Sequence, residues 1–295
     1  MPDSLDPDHN AAFDVFRPKQ WSAPLVFASP HSGQDYPDAL VQASRLNPLD
    51  LRRSEDAFVD EIFAAAPAYG APLISARFPR VYVDPNREPF ELDPQMFEDE
   101  LPPHVNTSSP RVAAGLGTIA RVVTSGEEVY GGKLLFEDAQ KAIEATYVPY
   151  HDALQGLLNE AYELFGGCVL IDCHSMPSIG GPMDRDPGFR RVDFILGDRH
   201  GVSCGPQVTD MVEQALESQD YAVTRNNPYA GGFTTHHYGK PEFGRHALQI
   251  EINRALYMNE LTISQSPGIE DLKKGVNRLI EALAKIDTKT LRPAQ

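Results

Sequence analysis

Short continuous runs of apolar residues recur along the chain, separated by longer segments whose apolar positions repeat at the helical period. The runs are Pro24-Leu25-Val26-Phe27-Ala28-Ser29, Leu73-Ile74-Ser75-Ala76, Val81-Tyr82-Val83-Asp84, Cys168-Val169-Leu170-Ile171-Asp172-Cys173, Val192-Asp193-Phe194-Ile195-Leu196-Gly197 and Ala247-Leu248-Gln249-Ile250-Glu251-Ile252. Runs of this length bounded by turn residues predict short buried strands. A helix is predicted to open at Ser54 as N-cap, with Glu55 and Asp56 in its first turn. Its apolar face runs through Phe58, Val59, Ile62, Phe63 and Ala66. Further helical patterns cover residues 137–165, 206–218 and 268–285, and Pro149 is expected to kink or break the first of them. Residues 85–118 are rich in Pro, Asn and Asp, and so long a loop is often functional. Strands alternating with helices predict an α/β layer fold with a mostly parallel or mixed sheet. Residues 1–20 read as a loose arm and residues 21–290 as one α/β domain.

Two histidines stand where such runs meet Ser-, Gly- or Pro-rich turns: His31 after the first run and His174 after the run 168–173. In open α/β sheets ligand sites gather beyond the carboxyl ends of the strands. Either histidine alone reads as a turn-capping residue, but the matched pair points to a metal, and zinc is the ion most often held this way. Catalytic zinc takes three protein ligands, so a carboxylate is needed beside the pair. Glu55 and Asp56 both qualify, and helical geometry does not choose between them. Asp172 and His174 alternate by two, so they leave the same side of their strand, while Cys173 leaves the other. That makes Asp172 a candidate metal ligand or a carboxylate standing behind the ligands.

Glu251 shares a strand face with Gln249, opposite Leu248, Ile250 and Ile252. Read blandly, this is an amphipathic strand with a solvated polar face; read chemically, Glu251 is a general base for amide or ester hydrolysis. Asn86-Arg87 and Arg225 lie in polar turn segments and suit recognition of an anion. Ser32 and Ser175 follow the two histidines but sit in no nucleophile elbow, and no phosphate-binding glycine loop is present.

The chain of 295 residues carries 42 acidic against 26 basic residues, a formal charge of −16. Such a surface disfavours nucleic acid and anionic membranes as partners. It leaves room for one locally positive pocket and a small anionic substrate. The acidic N-terminus does not read as a signal peptide. The three cysteines, Cys168, Cys173 and Cys204, form no disulfide or zinc-finger pattern. Both features fit a reducing, cytoplasmic setting.

Several segments, in order, resemble the N-formylglutamate amidohydrolases. They are Ser29-Pro30-His31-Ser32-Gly33, Arg53-Ser54-Glu55-Asp56, Arg80-Val81-Tyr82-Val83-Asp84-Pro85-Asn86-Arg87, Pro149-Tyr150-His151, and Asp172-Cys173-His174-Ser175-Met176-Pro177. Gly197-Asp198-Arg199-His200-Gly201, Arg225-Asn226-Asn227-Pro228-Tyr229 and the segment from Ala247 to Met258 complete the set. The resemblance implies a three-layer α/β sandwich with a mixed central sheet, zinc carboxypeptidase-like (phosphorylase/hydrolase-like). It implies one zinc ion on His31, His174 and a third ligand, with Glu251 as catalytic base and Asn86-Arg87 holding a substrate carboxylate. Carboxypeptidases take their carboxylate ligand three residues after the first histidine, where this chain has Gln34. The third ligand must come from elsewhere, and the resemblance to the N-formylglutamate amidohydrolases favours Asp56 over Glu55. The implied reaction is hydrolysis of N-formyl-L-glutamate to formate and L-glutamate, a step of histidine catabolism. That substrate is a dianion, so a second cation is expected: Arg225, with Arg80 behind it. The competing readings are a zinc deacylase for another N-acyl amino acid and a non-catalytic metal- or amino-acid-binding protein.

Overall fold

All but one of the apolar runs enter a single mixed sheet in the computed structural model, which describes residues 8–9, 11–182 and 184–292. Its strands are β1 (Asp8–His9), β2 (Phe13–Phe16), β3 (Leu25–Ser29), β4 (Leu73–Ala76), β5 (Cys168–Met176), β6 (Phe194–Gly197), β7 (Val223–Arg225) and β8 (Arg245–Asn253). Their spatial order is β1-β2-β4-β3-β5-β8-β6-β7. The central strands β4, β3, β5 and β8 run parallel, and antiparallel pairs join β2 to β4 and β6 to β8. Short strands close both edges, which limits pairing with other chains.

The helices are α1 (Asp38–Ala43), α2 (Pro48–Leu51), α3 (Val59–Ile62), α4 (Pro110–Ala113), α5 (Phe136–Phe165), α6 (Pro206–Glu217), α7 (Phe233–Tyr238) and α8 (Gly268–Leu283). Alternate residues of the central strands feed two separate cores. Leu25, Phe27, Val169, Ile171, Cys173, Leu248 and Ile250 pack with Val208 and Val212 of α6 and Leu279 and Ile280 of α8. Val26, Ala28, Ile74, Leu170 and Ala247 pack with Ile143, Tyr150 and Leu154 of α5 on the opposite face. The result is a three-layer α/β sandwich with a mixed central sheet. Burial on both faces is why the strand sequences read as continuous apolar runs rather than alternating ones.

Three local expectations are corrected. The loose arm falls partly outside the described residues (1–7 and 10), but β2 lies within it and pairs with β4. Val81 and Val83 are buried, yet no strand forms there; Tyr82 closes a turn onto the Pro79 carbonyl. Apolarity at those positions reports burial alone. The helix expected from Ser54 is only α3, because Arg52–Ser54 forms a separate 3-10 turn and Glu55 is extended. The Ser54 hydroxyl accepts from the Thr124 N–H instead of capping a helix. Helix α5, by contrast, runs unbroken through Pro149. A mid-helix proline costs ~3 kcal/mol or more. The buried Tyr147, Tyr150 and Leu154 around it offset that, at about 1.5–3 kcal/mol for each large apolar side chain.

The three cysteines are buried and free. No helix among the described residues is long and apolar enough to cross a membrane.

Candidate metal and catalytic site

The parallel register of β5 and β8 pairs His174 with Glu251 and Asp172 with Gln249. Partners in register leave the same face of a sheet, so strand pairing alone brings the expected ligand beside the expected base. His31 lies just beyond the end of β3, the neighbour of β5 on its other side. The turn at His31 runs against the backbone at Arg77 and Phe78, where a Cβ on Gly33 would overlap the Phe78 carbonyl oxygen. Asp56 belongs to no regular element; its N–H donates to the His31 carbonyl at 3.0 Å, which fastens it to the same turn.

The side chains converge closely. His31 Nδ1 lies 3.2 Å from Asp56 Oδ2, His174 Nδ1 lies 3.0 Å from the same oxygen, and the two Nδ1 atoms are 3.1 Å apart. All three residues are buried. Ligands about 2.0–2.2 Å from a tetrahedral ion stand roughly 3.3 Å from one another, close to the spacing of these atoms. The three could hold one metal ion.

The outer partners fit that role. His31 Nε2 donates to Asp84 Oδ1 at 2.8 Å, which leaves the Nδ1 lone pair facing the centre. His174 Nε2 lies 3.1 Å from Asp172 Oδ2, and that carboxylate favours a proton on Nε2. Neither Asp172 oxygen has an aligned hydrogen-bond donor, so this contact is electrostatic. Burial disfavours charge on both Asp56 and His174. The histidines nevertheless hold Asp56 well below the usual carboxylate range, and Asp172 and Asp56 push His174 well above the usual imidazole value. The pocket thus favours positive charge between the imidazoles, as a cation site requires.

Glu251 is the group in this cluster held near neutrality. Burial, reinforced by Asp56, raises its pKa to about 7 against the pull of His174, Arg80 and Arg254. Gln249 Nε2 donates to its Oε1 at 2.8 Å. The face that also reads as a solvated polar surface is therefore interior.

Asn86 and Arg87 sit on the turn after Asp84. The Asn86 N–H donates to Asp84 Oδ1, its Oδ1 accepts from the Thr234 N–H, and its Nδ2 lies 3.2 Å from His174 Nε2. His151 of α5 braces this turn: its Nε2 faces the Pro85 carbonyl at 2.8 Å and must donate, so Nδ1 accepts from the Tyr238 hydroxyl. Burial holds the His151 pKa down to about 4, consistent with a neutral ring. Arg87 donates Nε to the Leu116 carbonyl and Nη1 to the Asn86 carbonyl, leaving Nη2 3.6 Å from Asp84.

Arg225 does not join the cluster. It lies on β7 and pairs with Asp210 at 2.8 Å and with Glu213, both on α6. Arg80 takes its place, bonded to Asp84 Oδ2 at 2.6 Å and 4.0 Å from Asp56 Oδ1. Glu55 is turned away from the ligands and accepts from the Tyr36 hydroxyl at 2.6 Å and from Arg52. Asp84 and Arg254 are the site residues that the pattern of the chain did not single out. The one signal for Asp84 was an acid closing an apolar run just before the Pro-Asn-Arg turn.

Asp84→Asn leaves a side chain that can still accept from His31 but carries no charge. Zinc affinity or activity is expected to fall about 10–100-fold, the usual effect of losing a carboxylate behind a metal-bound histidine. Zinc titration against a competing chromophoric chelator measures it; unchanged affinity removes Asp84 from the site.

Two histidines and a glutamate at or just beyond the carboxyl ends of parallel strands, with an aspartate from the neighbouring loop, are groups suited to metal-assisted hydrolysis. The chain belongs to the N-formylglutamate amidohydrolase family, whose model matches residues 23–258. It is 28% identical over 249 residues to an N-formylglutamate deformylase of Pseudomonas putida, covering 82% of this chain and 84% of that protein. It is 26% identical to one from Pseudomonas aeruginosa, covering 84% and 86%. The crystal structure of N-formylglutamate amidohydrolase from Ralstonia eutropha JMP134 superposes with a TM-score of 0.87 at 35% identity, over 95% of this chain and 99% of that one.

Proposed function

We propose that the protein hydrolyses N-formyl-L-glutamate to formate and L-glutamate at a single zinc ion held by His31, His174 and Asp56. The observation that carries this reading is the convergence of two Nδ1 atoms and one carboxylate oxygen, 3.0–3.2 Å apart, beside buried Glu251 in a chain of this family. Two imidazole nitrogens and a carboxylate are the donor set of hydrolytic zinc. Zinc bound there would polarise the formyl carbonyl and make water easier to deprotonate.

The chain's own residues supply the rest. Glu251 takes a proton from the attacking water as its oxygen bonds to the formyl carbon. The carbon–nitrogen bond then breaks, and Glu251 returns the proton to the leaving amine. Arg87, with Asn86 beside it, holds one substrate carboxylate. Arg80 is the second cation, because it lies against Asp84 and Asp56 within the cluster, whereas Arg225 lies against Asp210 and Glu213 of α6. Asp172 orients His174. Cations gathered at one pocket of a chain with net charge −16 are what binding a dianion requires.

Formate release from N-formyl-L-glutamate is the direct test. Rapid release by the zinc-loaded protein, abolished by a chelator and restored by zinc, is expected. Stoichiometric zinc without release of formate overturns the substrate assignment.

A further inference from the structure

We infer that Arg254 is a positioning residue that holds Asp56 with Oδ2 turned to the two histidines, a role that rests on the metal reading above. Asp56 presents Oδ2 to both histidines, and its other oxygen accepts from Arg254 Nη2 at 3.1 Å. The bond to Arg254 fixes the carboxylate so that Oδ2, and not Oδ1, is the oxygen turned to the two histidines.

The same guanidinium reaches further. Its Nη2 donates to the Glu55 carbonyl at 2.6 Å, its Nη1 to the Arg53 carbonyl at 3.3 Å, and its Nε to the Ser175 hydroxyl at 3.2 Å. Arg254 opens the 3-10 turn directly after β8, so one side chain links the strand of Glu251, the residue after His174 and the segment of Asp56. That segment needs such a tie. Residues 55–58 form no helix or strand, and the bonds of the Asp56 backbone to the His31 carbonyl and the Ser32 hydroxyl leave its carboxylate to be fixed by side-chain partners. The arrangement also sets a buried cation against a buried anion, since the Arg254 side chain is 8% exposed and Asp56 is 2% exposed. Only a guanidinium has enough donors in one plane for these four acceptors; an ammonium keeps the charge and loses the fork.

Arg254 also lines a cleft of about 210 Å³, shared with Arg52, Glu55, Thr124, Pro177 and Met258. A shortened side chain at 254 therefore opens onto existing space, and free guanidinium can reach the gap.

The test is zinc affinity, measured without substrate by chelator competition, with the absorption spectrum of the cobalt-substituted protein as a second readout. Arg254→Ala is expected to weaken zinc binding about 10–100-fold and to change the cobalt spectrum. Arg254→Lys should fall between Arg254→Ala and wild type. Millimolar guanidinium is expected to restore affinity to Arg254→Ala. Thermal melting followed by circular dichroism confirms that each variant compared is folded. A folded Arg254→Ala or Arg254→Lys protein with wild-type zinc affinity and cobalt spectrum overturns the role of Arg254. A wild-type protein that binds no zinc overturns the metal reading itself.

Discussion

Glu251→Gln should abolish most turnover while zinc stays bound. General-base catalysis is worth about 10²–10⁴-fold in rate, and glutamine keeps the shape of the side chain without its basicity. The expected pattern is a fall in kcat of that size, a KM that changes far less, and unchanged zinc stoichiometry. The pH profile of the wild type gives an independent reading of the same group. A base must be deprotonated to act, so kcat/KM should rise with pH and level off above the Glu251 pKa, which lies at about 7. A bound dication would favour the carboxylate and move that limb lower, never higher. In Glu251→Gln the limb should disappear along with the rate. A variant that retains wild-type kcat removes Glu251 from the chemistry.

His174→Ala should be the more damaging substitution because it does two things at once. It removes one of three ligands, so zinc should be lost at concentrations that saturate the wild type and formate release should fall to background. It also takes away the ring facing Asp172, a fully buried carboxylate without an aligned hydrogen-bond donor. Removing one partner of a buried ionic contact typically costs about 3–5 kcal/mol, so the melting temperature should drop as well. Zinc content and thermal melting separate the two effects. The double variant with Glu251→Gln should be no less active than His174→Ala alone, because residues that act as one unit are not additive. Stoichiometric zinc together with turnover in His174→Ala would overturn the ligand assignment.

Local chemistry made part of this site legible. Glu251 and His174 are polar residues set in apolar strands, and that contrast survives in one dimension because a strand alternates strictly between two faces. The side shared by Asp172 and His174, and the opposite side taken by Cys173, follow from the same alternation and hold in the structure. The sheet strands and long helices were visible for a related reason: burial on two faces yields runs, and burial on one yields a helical stripe.

The carboxylate ligand was a different matter. Glu55 and Asp56 are adjacent acids, and the helix expected to carry both does not begin there. What separates them is which groups other parts of the chain bring near. Tyr36 and Arg52 hold the buried Glu55 away from the histidines, while the His31 carbonyl and Arg254 hold Asp56 toward them. Arg225 and Arg80 divide in the same way. Each is an arginine near a turn, but α6 sets Asp210 and Glu213 against Arg225, and only Arg80 lies against Asp84 and Asp56.

The sequence by itself determined the layered α/β class, the faces of the central strands, and the residues whose polarity clashes with their apolar neighbours. The tertiary structure decided which acid faces the two histidines, which arginine stands beside them, and which guanidinium ties the segments together. The physical reason is range. Alternation and helical period act between residues a few positions apart, whereas an ion pair forms between whichever charges the folded chain brings within a few ångströms, however distant they are in sequence.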